Sequence, residues 1–320
     1  MQIGDFSSYM PFAQYAVYAL IAIIVFDYMF GWVERKTIAK VQARHGPTFT
    51  GKYGLLQNLA DVIKLLSKEQ IVPDKADKLV FALIPPFMLW LFIFLVMLLP
   101  LYGTAASGAF SFGLLAIFVA VSFIPLLVFL GGAASGSKYG AISAERSVLM
   151  LLGYEIPLLI AVANVAMVAG TYNIADIVSM QGAMWFAISL PIAFIVFFVA
   201  MLAEMERPPF DLREADSELI AGWLVDLGAP KYAIALFIDY TRMLLGSALI
   251  VLLFLGGWNG PVLPQVAWLM IKVFAVAFFI ILIRATTVRT RLDTLMRFSW
   301  LVLLPLSLAS LLLTFIFILK

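Results

Sequence analysis

The sequence predicts an all-α polytopic membrane protein: eight transmembrane helices with cytoplasmic loop helices, forming a single integral membrane domain over residues 1–320. Three observations predict it. Hydrophobic residues make up 64% of the chain and charged residues 12%, against about 25% charged in an ordinary soluble domain. So few charges cannot cover a soluble surface, and the excess apolar surface calls for lipid. Eight runs reach the roughly 20 mostly apolar residues that a spanning helix needs. Finally, 18 of the 21 Lys and Arg residues lie in odd-numbered connections, the asymmetry of a chain whose basic loops face the cytoplasm.

In chain order the runs cover about 11–32, 79–101, 112–133, 149–169, 183–203, 232–255, 265–283 and 298–319. An even number returns both termini to one side, which the basic loops make the outer side of a prokaryotic cytoplasmic membrane. The first connection carries nine bases and a periodic segment, GLLQNLADVIKLLSKE. There Leu55, Leu59, Ile63 and Leu66 share one face, and Gln57, Asp61, Lys64 and Lys68 the other. That pattern suits an amphipathic helix in the membrane interface or on the mouth of the bundle, and equally a solvated cap on a helical hairpin. The sequence shows no internal repeat and no broken helix, the marks of a secondary transporter. MQIGDF has no basic n-region, so no cleavable signal is expected. With no cysteine and one histidine, disulfides, thiolate metal sites and protein-held iron–sulfur clusters are excluded. The expectation is no metal and no cofactor bound by this chain, and no nucleic-acid partner.

Charges inside the runs need a reason, because each costs roughly 2.5–3.5 kcal/mol at a helix centre on insertion scales. Asp27, Glu155, Asp239, Arg242 and Lys272 fall within runs, and Glu34 and Glu204 at run ends. A purely structural anchor gains nothing from carrying them. Asp239 and Arg242 stand i, i+3 on one helix, where they can neutralise each other. Glu155 and Lys272 have no partner within a turn. Asp27 lies about a turn and a half from its run's end, close to the headgroups. The stretch from Glu204 to Lys231 holds seven acids against three bases on the otherwise basic side, broken by Pro208, Pro209 and Phe210. Crowded, partly buried carboxylates share protons, which suits proton or cation handling.

Four strings carry a family resemblance. ERKTIAKVQARHGPTFTGKYGLLQNLADVIKLLSKE, GGAASGSKYGAISAERSVLMLLGYEIPL, ERPPFDLREADSELIAGW and IRATTVRTRLDTLMRFSWLVLLPLSL resemble, in order and over nearly the whole chain, the H subunit of the NADH–quinone oxidoreductase (complex I) family. That family includes the homologous membrane subunits of coenzyme F(420)-dependent dehydrogenases and membrane-bound hydrogenases. The third string is similar to its most distinctive signature, an acid-rich loop.

The resemblance implies a subunit of a redox-driven ion translocase that is not catalytic alone. Its partners would be other membrane and peripheral subunits, the latter holding the iron–sulfur clusters, together with lipids and a quinone. It places Glu34, Glu155, Glu204, Glu214, Asp216, Glu218, Asp226, Asp239 and Lys272 in a proton or sodium relay. Arg35, Asp61, Lys64, Arg207, Asp211 and Arg291 match positions near the quinone cavity or the peripheral arm. Beside them, Arg44 offers a further cation for the arm or lipid headgroups, and His45 is the nearby imidazole. The chain departs from the family pattern at Phe49, which replaces an arginine, at Glu145, at Glu206 before Arg207, and in VRTRLD, which lacks a proline. These departures keep a second reading in view: the equivalent ion-translocating subunit of a nickel–iron hydrogenase-like complex with no quinone substrate.

Overall fold

The computed structural model describes residues 6–101, 112–182, 184–213 and 216–318. Its helices in order are α1 (Phe6–Val41), α2 (Gln57–Leu66), α3 (Lys78–Leu98), α4 (Gly113–Ala134), α5 (Lys138–Ala169), α6 (Ile174–Met180), α7 (Phe186–Ser189), α8 (Pro191–Glu204), α9 (Asp216–Leu219), α10 (Ala229–Phe254), α11 (Gln265–Thr286), α12 (Leu292–Phe298) and α13 (Leu304–Ile318). A π turn, Ser299–Leu303, joins the last two. Among the described residues, seven helices are long and apolar enough to cross a membrane.

The fifth expected span is the exception. Over 183–203 the chain breaks at Leu190, and α8 has only 14 residues. At 1.5 Å per residue that is about 21 Å, short of a hydrocarbon core of about 30 Å. Pro191 starts α8, where its missing N–H costs nothing, and cannot continue α7. The break is held by one buried glutamine. Gln181 Nε2 donates to Leu252 O at 2.9 Å, and its Oε1 accepts from Gly256 N at 2.9 Å and Phe186 N at 3.4 Å. A hydropathy window averages across such a break.

Two helices outrun their apolar stretches. α1 continues past residue 32 because VERKTIAKV contains no breaker and ends with Lys40 in the last turn, the favourable sign for the helix dipole. The helix stops where Ala43 takes a positive φ of 52°. α5 begins at Lys138 rather than near 149. The Ser137 side chain caps it by accepting from Gly140 N, and Gly170 at φ 62° ends it. Helical turns built from polar residues carry no hydropathy signal.

α10 is the hub and packs against α1, α2, α3, α6, α8 and α11, while α5 packs against α4, α8 and α13. One apolar core unites them. The connections gather at two ends. At the basic end Asp77 N donates to Ala134 O and Thr290 N to Pro209 O, both at 2.9 Å; at the other, Leu114 N donates to Tyr172 O at 3.1 Å. On α1 the inward stripe is Ile23, Phe26, Phe30 and Glu34, all buried. Phe26 and Phe30 stack at 4.1 Å, and Phe274 of α11 meets Phe30 at 4.7 Å. That stripe delivers a carboxylate into the bundle at the basic end.

Candidate functional site

The signature loop leaves α8 through Glu206, at φ 51°, and a cis Pro208–Pro209 bond. It folds back over the basic end. Thr290 Oγ1 donates to Pro209 O at 3.0 Å, and Ser143 Oγ to Arg213 O at 2.9 Å. Arg146 reaches Glu218 at 2.7 Å, Arg289 pairs with the same carboxylate, and Ser137 Oγ donates to Asp226 Oδ2. The hydrogen bond from Arg146, aided by the charges of Arg289 and Arg146, holds the exposed Glu218 carboxyl below its ordinary range. Glu218 and Asp226 therefore fasten the loop to α5 and to the α11–α12 connection.

Beneath the loop lies a buried layer of charge. Glu34 Oε1 accepts from Arg207 Nη1 at 3.0 Å and pairs with Arg284. Arg207 also donates to Asp239 O at 3.3 Å and lies 5.4 Å over the Tyr240 ring. Next to it, Glu206 Oε2 meets Arg213 Nη1 and Arg242 Nη1, each at 2.5 Å. Arg213 Nη2 is 3.7 Å from Asp239 Oδ1. Glu204, 4% exposed, lies beside the buried Tyr154. Between the two clusters a cavity of about 20 Å³ is lined by Glu206, Arg207, Asp211, Arg213, Asp239 and Arg284, room for one water molecule by volume. Arg242, which could have neutralised Asp239 on its own helix, instead reaches across to Glu206. Such a layer persists only if every charge is matched, because desolvation costs several kcal/mol per ion.

Beside the layer is a larger, half-open cavity of about 260 Å³, bordered by α1, α2 and α10. Its walls are mostly apolar: Ile24, Leu59, Val62, Leu65, Ala233, Leu236 and Phe237. At its rim Arg35 and Asp61 pair at 2.5 Å, both partly exposed. Tyr28 donates to Leu55 O at 2.7 Å, and Asn58 Nδ2 to Tyr28 O at 2.9 Å, so α2 is tied along α1. No residue of α2 is buried, and the apolar face expected from the sequence stands exposed at Leu59, Ile63 and Leu66.

The other sequence-derived candidates distribute as follows. Glu155 is half-buried on α5. Lys272 lies at the opposite end of the bundle, where Nζ donates to Leu255 O at 2.8 Å and Asn259 O at 2.9 Å and sits 5.0 Å over the Trp185 ring. Arg44, His45, Lys64 and Arg291 are exposed and do not line the cavity. Asp216 opens α9, and Glu214 lies outside the described residues. Asp27 is not at a headgroup level of exposure: it is 6% exposed and lines the large cavity, because α1 runs on well beyond residue 32.

A family model described as NADH dehydrogenase matches residues 13–315, nearly the whole chain. This chain belongs to the NADH dehydrogenase family. It is 39% identical over 292 residues to the H subunit of NADH-quinone oxidoreductase from Dehalococcoides mccartyi, covering 91% of this chain and 82% of that relative. The Geobacillus kaustophilus protein of the same name is 39% identical over 303 residues, 92% and 90% of the two chains. The H subunit of F(420)H(2) dehydrogenase from Methanosarcina acetivorans is 38% identical over 298 residues, 88% and 86%.

For a member of the NADH dehydrogenase family, several residues central to this geometry are not ones that sequence reasoning selects. Glu206 shows only as a departure from the family string, yet it pairs with two buried arginines. Arg242 and Asp27 are visible as charges inside apolar runs. Tyr240 carries no sequence signal at all: it becomes significant because its ring lines the cavity and also faces the Arg207 guanidinium that bonds Glu34.

Proposed function

We propose that this chain is the membrane subunit of a complex I-type, redox-driven ion translocase, and that its large cavity takes the head group of a lipid-soluble carrier, a quinone. Glu34, Glu155, Glu204, Glu214, Asp216, Glu218, Asp226 and Asp239 then pass protons or sodium ions, and the iron–sulfur clusters that deliver electrons sit in partner subunits. The chain itself supplies binding and electrostatics, not a redox group. Relatives named for NADH and for F(420)H(2) match at 39% and 38%, which supports a chain that serves the membrane step and leaves the donor to its partners.

The observation that carries the reading is Tyr240. Its ring forms part of the cavity wall, while Arg207, which bonds Glu34 in the charged layer, lies 5.4 Å over that ring. A change at the carrier is thereby two side chains, Tyr240 and Arg207, away from the acids. Tyr240→Leu keeps an apolar wall and removes the ring face beneath Arg207. A desolvated contact of this kind between a guanidinium and an aromatic face is worth about 2 kcal/mol, or roughly tenfold or more in an equilibrium. In proteoliposomes holding the intact complex, the expected result is ion uptake per electron reduced about tenfold, with reduction of a short-chain quinone retained. Equal uptake in the variant and the wild type would sever this link.

The basic connections are assigned to the cytoplasm and both termini to the outside of a prokaryotic cytoplasmic membrane, supported by the charge asymmetry. The chain has no cysteine, so single cysteines report without background from it. At Val262, 85% exposed, a cysteine is expected to react with an impermeant maleimide on whole cells, and at Phe49, 100% exposed, to stay unlabelled until the membrane is opened. The reverse pattern inverts the topology.

A further inference from the structure

Along α1 the 260 Å³ cavity is lined by Ile24, Asp27, Tyr28 and Arg35, the i, i+3, i+4, i+11 spacing of one helix stripe. The vacant place on that stripe, i+7, is Gly31, which is buried. A glycine inside a helix is unfavourable relative to alanine, so its presence calls for a packing reason. Its neighbours supply one. A Cβ at residue 31 would stand 2.5 Å from Asn58 Nδ2, 3.3 Å from Asn58 Cγ and 3.5 Å from Tyr240 Cζ. The missing side chain is thus replaced by one residue of α2 and one of α10, and both of those line the cavity.

Asn58 is held in this notch by its own hydrogen bond, Nδ2 donating to Tyr28 O at 2.9 Å. The ties on either side of it are polar as well, Tyr28 to Leu55 O and Arg35 to Asp61. No residue of α2 is buried, and its Leu59, Val62 and Leu65 line the cavity. Apolar burial therefore does not set the spacing between α2 and α1. The depth of the notch at Gly31 sets it, and with it the width of the cavity between them.

We propose that Gly31 is a specificity-determining residue: by admitting the Asn58 carboxamide beside α1, it keeps that group out of the cavity and sets the largest ring system the cavity accepts. This rests on the carrier reading of the cavity. The volume of about 260 Å³ exceeds the about 150 Å³ of a cavity that holds a single benzene ring, which suits a two-ring aromatic head. Gly31→Ala closes the notch, because a contact of 2.5 Å lies well inside the optimal separation of non-bonded atoms. The α1 backbone cannot yield without breaking its own hydrogen-bond ladder, whereas the carboxamide is the free end of a side chain. It gives up Tyr28 O and turns into the cavity it lines. The cavity then keeps room for one ring and loses room for the second. Gly31 touches no carrier; it is a positioning residue that acts through Asn58.

The test uses the purified intact complex and two probes carrying the same alkyl chain, a benzoquinone and a naphthoquinone, with affinities measured by equilibrium dialysis. The ratio of the two affinities is the readout, since a merely structural loss lowers both together. Overpacking by one methyl group is worth about a factor of ten. Gly31→Ala is expected to weaken the naphthoquinone about tenfold relative to the benzoquinone. Gly31→Ala combined with Asn58→Ala is expected to restore the wild-type ratio, because the displaced carboxamide is gone. Asn58→Gln overfills the notch from the α2 side, where no residue is buried, and is expected to shift the ratio the same way as Gly31→Ala. A poorly assembled Gly31→Ala therefore does not shield the proposal. An unrestored ratio in the double variant overturns it. Ala233→Trp, on the α10 wall, fills the cavity itself and is expected to abolish binding of both probes. If it does so while Gly31→Ala and Asn58→Gln keep the wild-type ratio, the carrier cavity stands and the role of Gly31 is overturned. If both probes bind undiminished to Ala233→Trp, the cavity is not the carrier site and both readings fall.

Discussion

Glu206→Gln destabilises the folded chain by about 3–5 kcal/mol, the cost of leaving buried charge without its partner. Glu206 Oε2 is the shared counter-charge of Arg213 and Arg242, each with a side chain only 3% exposed. The amide preserves volume and one acceptor but leaves two guanidinium groups facing a neutral side chain. The measurement is the temperature at which the intact complex dissociates, followed by native electrophoresis after heating. Glu218→Gln serves as the comparison. Glu218 also touches two arginines, Arg146 and Arg289, but its side chain is 45% exposed, and solvent screens such pairs. A small shift at Glu218 beside a large one at Glu206 is expected. Equal shifts would mean that burial does not set the strength of these pairs.

Glu34→Gln is expected to act on ion movement rather than on assembly alone. Its carboxylate is 3% exposed and holds Arg207 and Arg284, and Arg207, over the Tyr240 ring, joins it to the cavity wall. Loss of a buried partner worth about 3 kcal/mol corresponds to roughly a hundredfold in an equilibrium. Ion uptake driven by carrier reduction should fall by about that factor. Asp61→Asn, at a pair whose members are 42% and 34% exposed, should change it less than about fivefold, in keeping with the about 1 kcal/mol limit for exposed ion pairs. Wild-type uptake in Glu34→Gln would remove this residue from the relay.

What could be read from the sequence follows from which physical signals are local. Apolar runs mark spans because burial in lipid is set residue by residue, so α3, α4 and α11 lie close to where they are expected. The polar ends of α1 and α5 escaped because helicity there comes from capping and the absence of breakers, at Ser137 for example, rather than from hydropathy. The break at Leu190 escaped because the whole stretch is apolar and only Pro191 marks it. In the site, residues of unusual charge announced themselves, Glu34, Glu204 and Asp239 among them. Their partners did not: Arg207 is 173 positions from Glu34 and Arg284 is 250. Lys272 stood out by the same reasoning as Glu34, and its partners, the carbonyls of Leu255 and Asn259, were equally invisible in the sequence.

The continuous helix α1 has a mechanical consequence. Consecutive residues on an α-helix point about 100° apart, at 3.6 residues per turn. Glu34 therefore enters the charged layer while Arg35 stands at the rim of the cavity, and one rigid cylinder carries both. No torsion of that cylinder can adjust the grip of Arg35 on Asp61 without altering the seat of Glu34 between Arg207 and Arg284. Thermodynamics makes such a linkage symmetrical. Whatever amount an occupant of the cavity biases the carboxylate, protonation of that carboxylate alters the occupant's residence by the same free energy. A single axle serving two chambers needs no loop rearrangement to pass the message, and it passes equally well in reverse.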